Sequence, residues 1–371
     1  MGGPAIAHRY SGDDINEMLR QRVERLCEAL RLEFRRDGHN LWVKDYRRGG
    51  NFTSFSIRTD RGMWKDFSQH SEAKKQGGDL ISLIAEFEYG GHSKEENRKA
   101  FLWARDWLGL EIGSDLAPDP KQIAALAENR RKQDEEDRAR EQRHRDTAKA
   151  IYLGAQPLSG KDPASLYLMQ RGIDVLKLKD GPPHSLRFDP RCWANPEGVA
   201  MPAMVACIAG RGGMLAVHRT YLEFANGIWR KAWKGARVND KPVAAKRVLG
   251  RYAGGTIRLT KGASRKPLAN APDGEWIVVS EGIENALTVA LVAPHMRCLA
   301  AVSISNLGNI ELPPQIGGVL IVADNDTKTA AVDGLERAMD RLAERGFEPA
   351  VIKTEDGFKD INDMLKGVSR V

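Results

Sequence analysis

The sequence predicts an α/β protein whose C-terminal part contains a central parallel sheet flanked by helices. Two apolar runs, 276–279 and 319–322, lack the alternation of a half-solvated strand, and continuous runs of this kind are typical of strands buried on both faces. Each run precedes a stretch with helical spacing, at 283–291 and 335–342. The order strand, helix, strand, helix favours parallel strands joined by crossover helices.

The N-terminal part has the pattern of an α+β domain. A helix is predicted to begin at Ser11, a good N-cap, and period-two spacing follows within 41–67. Two further helices are predicted, one opening after Gly77-Gly78-Asp79 and one over 93–108. The next stretch, 111–150, mixes charges of both signs on good helix formers, so we expect a long exposed helix that links two domains.

A mixed α+β region is predicted between this linker and the parallel sheet. Strands at 203–208 and 214–220 are joined by a glycine-rich turn, which is most often a hairpin. A short helix is predicted around 165–168. The sequence therefore divides into an N-terminal domain at 1–110, a linker at 111–150, a middle subdomain at 151–270 and a C-terminal domain at 271–371.

Composition limits the classes of function. At 371 residues and 42% hydrophobic content the chain has room for two or three domains. No apolar run approaches a membrane span, no apolar segment follows the N-terminus, and the four cysteines are far apart, so we expect a cytoplasmic protein with no membrane partner. A net charge of +7 suits a polyanionic partner, although it is also compatible with plain solubility.

Acidic residues follow both predicted parallel strands. Glu281 comes after the first strand, and Asp324 and Asp326 come after the second with the spacing that points two side chains the same way in extended backbone. Ligands bind at this edge of open α/β sheets, and carboxylate oxygens on one rim suit Mg²⁺. The same acids could instead cap the helices that follow them.

Three signals in this order resemble the Toprim domain, and more narrowly the Toprim domains of phage- and plasmid-type DNA primases. They are Glu281-Gly282, Asp324-Asn325-Asp326 and the segment 359–365. The resemblance implies a Toprim fold in which Glu281, Asp324 and Asp326 form the catalytic site. It also implies that they hold Mg²⁺ or Mn²⁺, with Asp360 and Asp363 as accessory metal ligands.

Residues 34–110 resemble the zinc-binding N-terminal domain of bacterial and phage primases. The resemblance is carried by 53–57, by the turn through Gly62 to Met63-Trp64 and by 77–81. Where that family places its metal ligands, this chain has no cysteine, so we expect no zinc.

Basic and aromatic residues interleave in this N-terminal region. Such a surface can hold single-stranded DNA through phosphate contacts and base stacking. The candidate DNA-binding residues are Arg47, Arg48, Trp64 and Lys65. The alternative is a solvated basic face over a packed core.

The middle subdomain resembles the segment that precedes Toprim in phage and plasmid primases. The matching segments are 216–222, 246–250 and 254–259. The resemblance implies a primase core that holds template and nucleotide phosphates. Our candidates for phosphate contacts are Arg219, Lys246 and Arg247, with Lys231 from the same basic run; ordinary surface cations are the alternative.

These resemblances together predict a DNA primase of a phage, plasmid or other mobile element. It would join NTPs on a single-stranded DNA template, with a separate replicative helicase as a possible partner. A Toprim-type nuclease remains an alternative, although its usual ATPase domain and any G-x-x-x-x-G-K-[ST] loop are absent from these residues. A non-catalytic accessory protein that only binds single-stranded DNA is the third interpretation.

Overall fold

The structure is a computed structural model that describes residues 10–44, 52, 55–66, 77–110, 120–195, 197–233, 235–238, 241–323, 329–354, 358, 360–365 and 367. The chain divides into two units, 1–137 and 138–371, each with its own internal packing. No helix in these ranges is both long enough and apolar enough to cross a membrane.

The N-terminal unit packs helices on an antiparallel sheet, as the sequence predicts. The sheet is a meander in the order β1 to β5: β1 Glu33–Asp37, β2 Asn40–Lys44, β3 Phe55–Arg58, β4 Met63–Asp66 and β5 Gly77–Asp79. The helices are α1 Gly12–Arg20, α2 Val23–Ala29, α3 Leu80–Tyr89 and α4 Lys94–Trp107. Ser11 caps α1 by accepting a hydrogen bond from the Asp14 amide, which confirms the predicted start.

The two faces of this sheet differ in character. Leu41, Ile57 and Trp64 lie in register on neighbouring strands and are buried in one apolar core with α1 and α3. A second row in register, Arg35, Trp42, Ser56 and Lys65, lies on the other face because side chains alternate along a strand. The sheet therefore separates an apolar core from a face that carries basic and aromatic side chains.

The mixed-charge stretch forms a helix, α5 Pro120–Gly154, as predicted. Ion pairs one turn apart, such as Arg131 with Glu128 at 3.0 Å, stabilise its exposed surface modestly. Near its C-terminal end Ala148 is fully buried against the middle sheet. The last turns of α5 thus belong to the packing of the second unit.

The middle region is an antiparallel sheet with one covering helix. Its strands run in the order β10-β9-β8-β7-β6, and a further strand, β13, pairs with β9. The bounds are β6 Gln156–Pro157, α6 Pro163–Gln170, β7 Leu186–Ala194, β8 Val199–Gly210, β9 Gly213–Ala225, β10 Ile228–Lys231, β11 Arg237–Val238, β12 Lys241–Pro242 and β13 Lys246–Leu249. Gly210 and Gly213 close the β8–β9 hairpin, which confirms the predicted turn.

The C-terminal sheet has the predicted parallel arrangement. Its order is β14-β16-β15-β17-β18, with all neighbours parallel except the edge strand β14. The bounds are β14 Ile257–Arg258, β15 Glu275–Ser280, α7 Ile283–Val292, β16 Arg297–Ala300, α8 Ile304–Leu307, β17 Ile316–Ala323, α9 Thr329–Glu344, β18 Glu348–Lys353 and α10 Ile361–Leu365. Its central strands are apolar on both faces, since Ile277, Val278 and Val279 are all fully buried.

One apolar core joins the middle region to the C-terminal sheet. Leu168 of α6 and Met204 of β8 belong to the same cluster as Val278 of β15 and Leu287 of α7. The packing therefore continues across the predicted boundary at 270, and β14, which precedes that position, is already a strand of the C-terminal sheet.

Candidate active site

Parallel pairing brings Glu281 to the carboxyl edge of the C-terminal sheet. Ser280, the last residue of β15, is in register with Val322 near the end of β17. The turn after β15 is fixed because the Val302 amide donates to the Glu281 carbonyl at 3.0 Å and the Ser280 hydroxyl donates to the Gly282 carbonyl at 2.7 Å. Glu281 thus leaves the sheet on a well-defined backbone, with its side chain exposed.

The predicted aspartate pair follows β17 directly in the sequence. Asp324 and Asp326 lie outside the described residues, since the last described position of this strand is Ala323. In the part of the chain that the structure describes, no three His, Cys, Asp or Glu side chains are grouped to hold a metal ion. The triad of Glu281 with these two aspartates therefore stays a prediction.

The two accessory acids lie at the start of α10 and share one cation. Arg171, just beyond α6, places its guanidinium 3.7 Å from the carboxylates of both Asp360 and Asp363. Asp360 also caps α10 by accepting from the Asp363 amide at 2.9 Å. Asn362 fixes Arg171 further by donating to its carbonyl oxygen at 2.7 Å. No local pattern pointed to Arg171, because its partners lie about 190 residues further along the chain.

The first turn of α7 carries a second carboxylate that sequence reasoning missed. Glu284 is 5% exposed and lies between two lysines of the middle sheet. Lys231 Nζ is 2.9 Å from Oε1, and Lys246 Nζ is 3.3 Å from Oε2. The Tyr167 hydroxyl donates to Oε1 at 2.7 Å. Two predicted phosphate-binding lysines are therefore oriented by one buried acid.

The charged groups in this cluster shift one another's pKa values. Burial raises the pKa of the Glu284 carboxyl, but the two ammonium groups and the Tyr167 hydroxyl outweigh burial and hold that pKa well below its ordinary value. Burial lowers the pKa of Lys246, but the charge of Glu284 and the hydrogen bonds to Glu284 and Lys231 together outweigh burial and raise that pKa, with a smaller contribution from Glu281. Lys231 has a lowered pKa, mainly because of burial. A Cβ on Gly282 would lie 4.0 Å from Lys246 Nζ, which places the cluster beside the Glu281 turn.

His218, which lies near this cluster, is held in its neutral form. His218 of β9 is buried, and burial together with the charge of Lys246 lowers its pKa to about 4. It is therefore neutral near pH 7 and adds no positive charge. Its Nδ1 has no hydrogen-bond partner among the described residues.

Two other predicted phosphate contacts are engaged within the protein. Arg247 forms a bidentate ion pair with Glu197, at 2.5 and 2.7 Å, and its guanidinium lies 4.9 Å from the ring centre of Trp233. Arg219 lies opposite Arg247 across β9 and β13 and donates to the Trp193 carbonyl at 3.3 Å. Both arginines are thus tied into the β-sheet packing, whereas Lys231 and Lys246 face the acidic turn.

The N-terminal DNA-binding candidates require one correction. Trp64 is 2% exposed, stacks on Phe55 with ring centres 5.1 Å apart, and donates to Ser82 Oγ at 3.0 Å. Its ring is part of the core and offers no face to a base. Lys65 lies on the opposite, exposed face of β4. Arg47 and Arg48 lie outside the described residues.

Two segments of the second unit match known protein families. Residues 276–370 match the family described as the Toprim domain, and residues 142–259 match a domain of unknown function, DUF7146. No curated protein matches the chain at significant similarity.

Two solved structures overlap with the chain at low similarity. The Aquifex aeolicus primase, described as its zinc-binding and RNA polymerase domains, is 16% identical over 96% of this chain and 83% of its own, with a TM-score of 0.35. The primase fragment of the bacteriophage T7 primase-helicase protein is 16% identical over 58% of this chain and 76% of its own, with a TM-score of 0.34. Both TM-scores are too low to establish a shared fold. The Toprim match agrees with the parallel sheet order and with the position of Glu281 after β15, so residues 276–370 of this chain are similar to the Toprim family in sequence and in sheet order.

Proposed function

We propose that the protein is a DNA primase that joins NTPs into short primers on single-stranded DNA. The observation that carries this proposal is the Toprim match, with Glu281 at the carboxyl edge of the sheet and Glu284, three residues further on, paired with Lys231 and Lys246 from the middle sheet. Acids next to oriented cations suit transfer of a nucleotidyl group, in which charge develops on phosphate oxygens.

A divalent cation fits the residues of this edge. Glu281 offers a hard oxygen ligand, and the imidazole in the cluster, His218, is buried and unavailable. With Asp324 and Asp326, Glu281 would hold Mg²⁺ or Mn²⁺, which when bound would neutralise charge on the reacting phosphates. In this proposal Asp360 and Asp363 are accessory metal ligands, and Arg171 holds their carboxylates in place.

The lysine pair would supply the phosphate contacts. Lys231 and Lys246 have side chains 36% and 39% exposed, so their ammonium groups remain accessible while Glu284 holds them in position. Preorganised cations stabilise phosphate charge without a reorganisation cost at the moment of reaction. In this proposal the two lysines bind the incoming nucleotide, and Glu284 acts as a positioning residue.

The N-terminal unit would hold the template. Arg35 and Lys65 are exposed and Trp42 is half-buried on the same face, so this face combines phosphate-binding cations with a ring on which a base can stack. We propose this face, in place of Trp64, as the single-strand contact. Replication of a phage, plasmid or other mobile element, with a separate helicase, is the setting that we propose, since the segments 246–250 and 359–365 resemble primases of that type.

A synthesis assay tests the proposal directly. The protein is incubated with single-stranded DNA, labelled NTPs and Mg²⁺ or Mn²⁺, and we expect short oligonucleotides that disappear in Glu281→Gln. The control is Glu344→Gln, the same chemical change at an exposed position of α9. Degradation of the DNA without synthesis would identify a nuclease, and binding without either reaction would identify an accessory protein.

A further inference from the structure

A cavity lies away from the Glu281 edge. It has a volume of about 390 Å³, which is within the range of small-molecule sites, and it is lined by the segments 180–185 and 258–268 with Arg297 and Leu299. Arg297 is the first residue of β16, so the cavity lies near the amino ends of the parallel strands and the edge strand β14. Glu281 follows the opposite, carboxyl end of the sheet.

The cavity wall carries more positive than negative charge. Two of its four cations are paired: Arg265 with Asp180 at 3.2 Å, and Arg297 with Glu275 at 3.2 Å. The other two, Arg258 and Lys261, have no carboxylate partner within the ranges that the structure describes. The site therefore has an uncompensated charge that favours an anion.

Two donors in the same wall lack acceptors. Arg258 Nε and Ser185 Oγ are buried without a hydrogen-bond partner among the described atoms. Burial lowers the pKa of the Arg258 guanidinium, and the charge of Arg297 adds to that lowering. A buried donor without an acceptor destabilises the fold, and an anion in the cavity would offset that cost.

The loop that carries Lys261 and Arg265 is held in a fixed shape. Arg297 is 2% exposed and donates to the Lys266 carbonyl at 2.9 Å and to Ser264 Oγ at 3.0 Å. Arg265 has a φ of +55°, a left-handed conformation that costs free energy in a non-glycine residue. A strained residue at the mouth of a cavity, held by a buried arginine, is a feature that binding sites retain.

We propose that this cavity binds the phosphate group of a small ligand of the nucleotide class. Phosphate oxygens accept charge-assisted hydrogen bonds from arginine and lysine, which Arg258 and Lys261 would donate. Apolar wall residues, among them Pro182, Leu268 and Leu299, would contact the less polar remainder of the ligand. This site is additional to the proposed polymerase site, since none of the residues around Glu281 and Glu284 lines it.

Isothermal titration of the full-length protein tests the proposal. Binding of ATP is measured without divalent metal in a Lys246→Gln background, which weakens nucleotide binding at the Glu281 edge. Arg258→Gln and Lys261→Gln should each weaken ATP binding about tenfold. Lys177→Gln, the same change at a lysine side chain that is 78% exposed and outside the cavity, should leave it unchanged. Thermal melting establishes whether each variant is folded. Because Lys261 is exposed, Lys261→Gln should stay folded and still test the proposal if Arg258→Gln unfolds.

Two competitors distinguish the source of the phosphate. Inorganic phosphate should displace ATP from the Lys246→Gln protein, and it should displace less ATP when Lys261→Gln is also present. Equal ATP affinity in all variants, or no displacement by phosphate, would overturn the proposal. If a single-stranded oligonucleotide bound in a Lys261-dependent way and ATP did not, the cavity would belong to a nucleic-acid path and the small-ligand site would be wrong.

Discussion

Replacing Glu284 by glutamine should destabilise the second unit and disorder the lysine pair. Glutamine keeps the size of the side chain and can accept from Tyr167, but it removes the charge that faces Lys231 and Lys246. Breaking a fully buried ion pair costs about 3–5 kcal/mol. Both lysine side chains are more than one-third exposed, so water screens them, and we expect a loss of about 2–3 kcal/mol.

Thermal and denaturant unfolding measure this loss. For a unit of this size, about 2–3 kcal/mol lowers Tm by roughly 5–10 °C at pH 7. The control is again Glu344→Gln, whose side chain is exposed on α9. The KM for NTPs in primer synthesis should rise in Glu284→Gln, because the ammonium groups are no longer oriented.

The effect of Glu284→Gln should depend on pH in one direction. The folded state holds the pKa of Glu284 well below its ordinary value, so the unfolded chain takes up a proton first as pH falls. The stabilisation from Glu284 is complete above the unfolded pKa, roughly 4.3, and decreases as pH falls towards the folded value. The difference in stability between wild type and variant should therefore narrow below about pH 5. A difference that is absent at pH 7, or the same at pH 7 and pH 4, would refute this account of the cluster.

Four further predictions concern the metal site and the N-terminal unit. Asp324→Ala and Asp326→Ala should each abolish metal-dependent synthesis while circular dichroism and melting remain near wild type; synthesis retained by either variant would contradict the triad. Elemental analysis of natively purified protein should find far less than one zinc per chain, because residues 34–110, which resemble the zinc-binding domain, contain no cysteine. Trp42→Ala should weaken binding of single-stranded DNA several-fold, by loss of about 1–3 kcal/mol of stacking, without unfolding the unit. Trp64→Ala should mainly lower stability, by about 3–5 kcal/mol, because it empties a core position, and a DNA-binding defect in fully folded Trp64→Ala would restore the original assignment.

Local patterns in the sequence were sufficient to predict the parallel sheet, but they could not predict the cluster of Glu284 with Lys231 and Lys246. The apolar runs of β15 and β17 predict strands buried on both faces, and these two strands pair in parallel. Glu284 occupies the first turn of α7, where an acid is favoured by the helix dipole alone, so its position suggested no special role. Its partners lie 38 residues away at Lys246 and 117 residues away at Tyr167, and only the folded chain brings them together.

The error at Trp64 has a local physical cause. Along β4, Met63 and Lys65 point to one face and Trp64 to the other, because side chains alternate in a strand. Trp64 and Lys65 could therefore never have shared one DNA-binding face. Their proximity in the sequence grouped them, whereas the two-residue period separates them and places Trp42, two strands away, on the same face as Lys65.

The position of the lysine pair means that the Toprim domain alone does not complete the site. Glu281 and Glu284 belong to the Toprim segment, but Lys231 and Lys246 come from the antiparallel sheet, within the match to the domain of unknown function. The apolar core also runs without a break from α6 and β8 to β15 and α7. The buried acid Glu284 and its two lysines stabilise one another's charged forms. A substitution of the lysines therefore alters the pKa of Glu284, and a substitution of Glu284 alters the pKa values of the lysines. If the proposed function is correct, the cations of the middle region bind the phosphates of the substrate at the acidic edge, and two chains with the same Toprim acids but different middle segments need not share an activity.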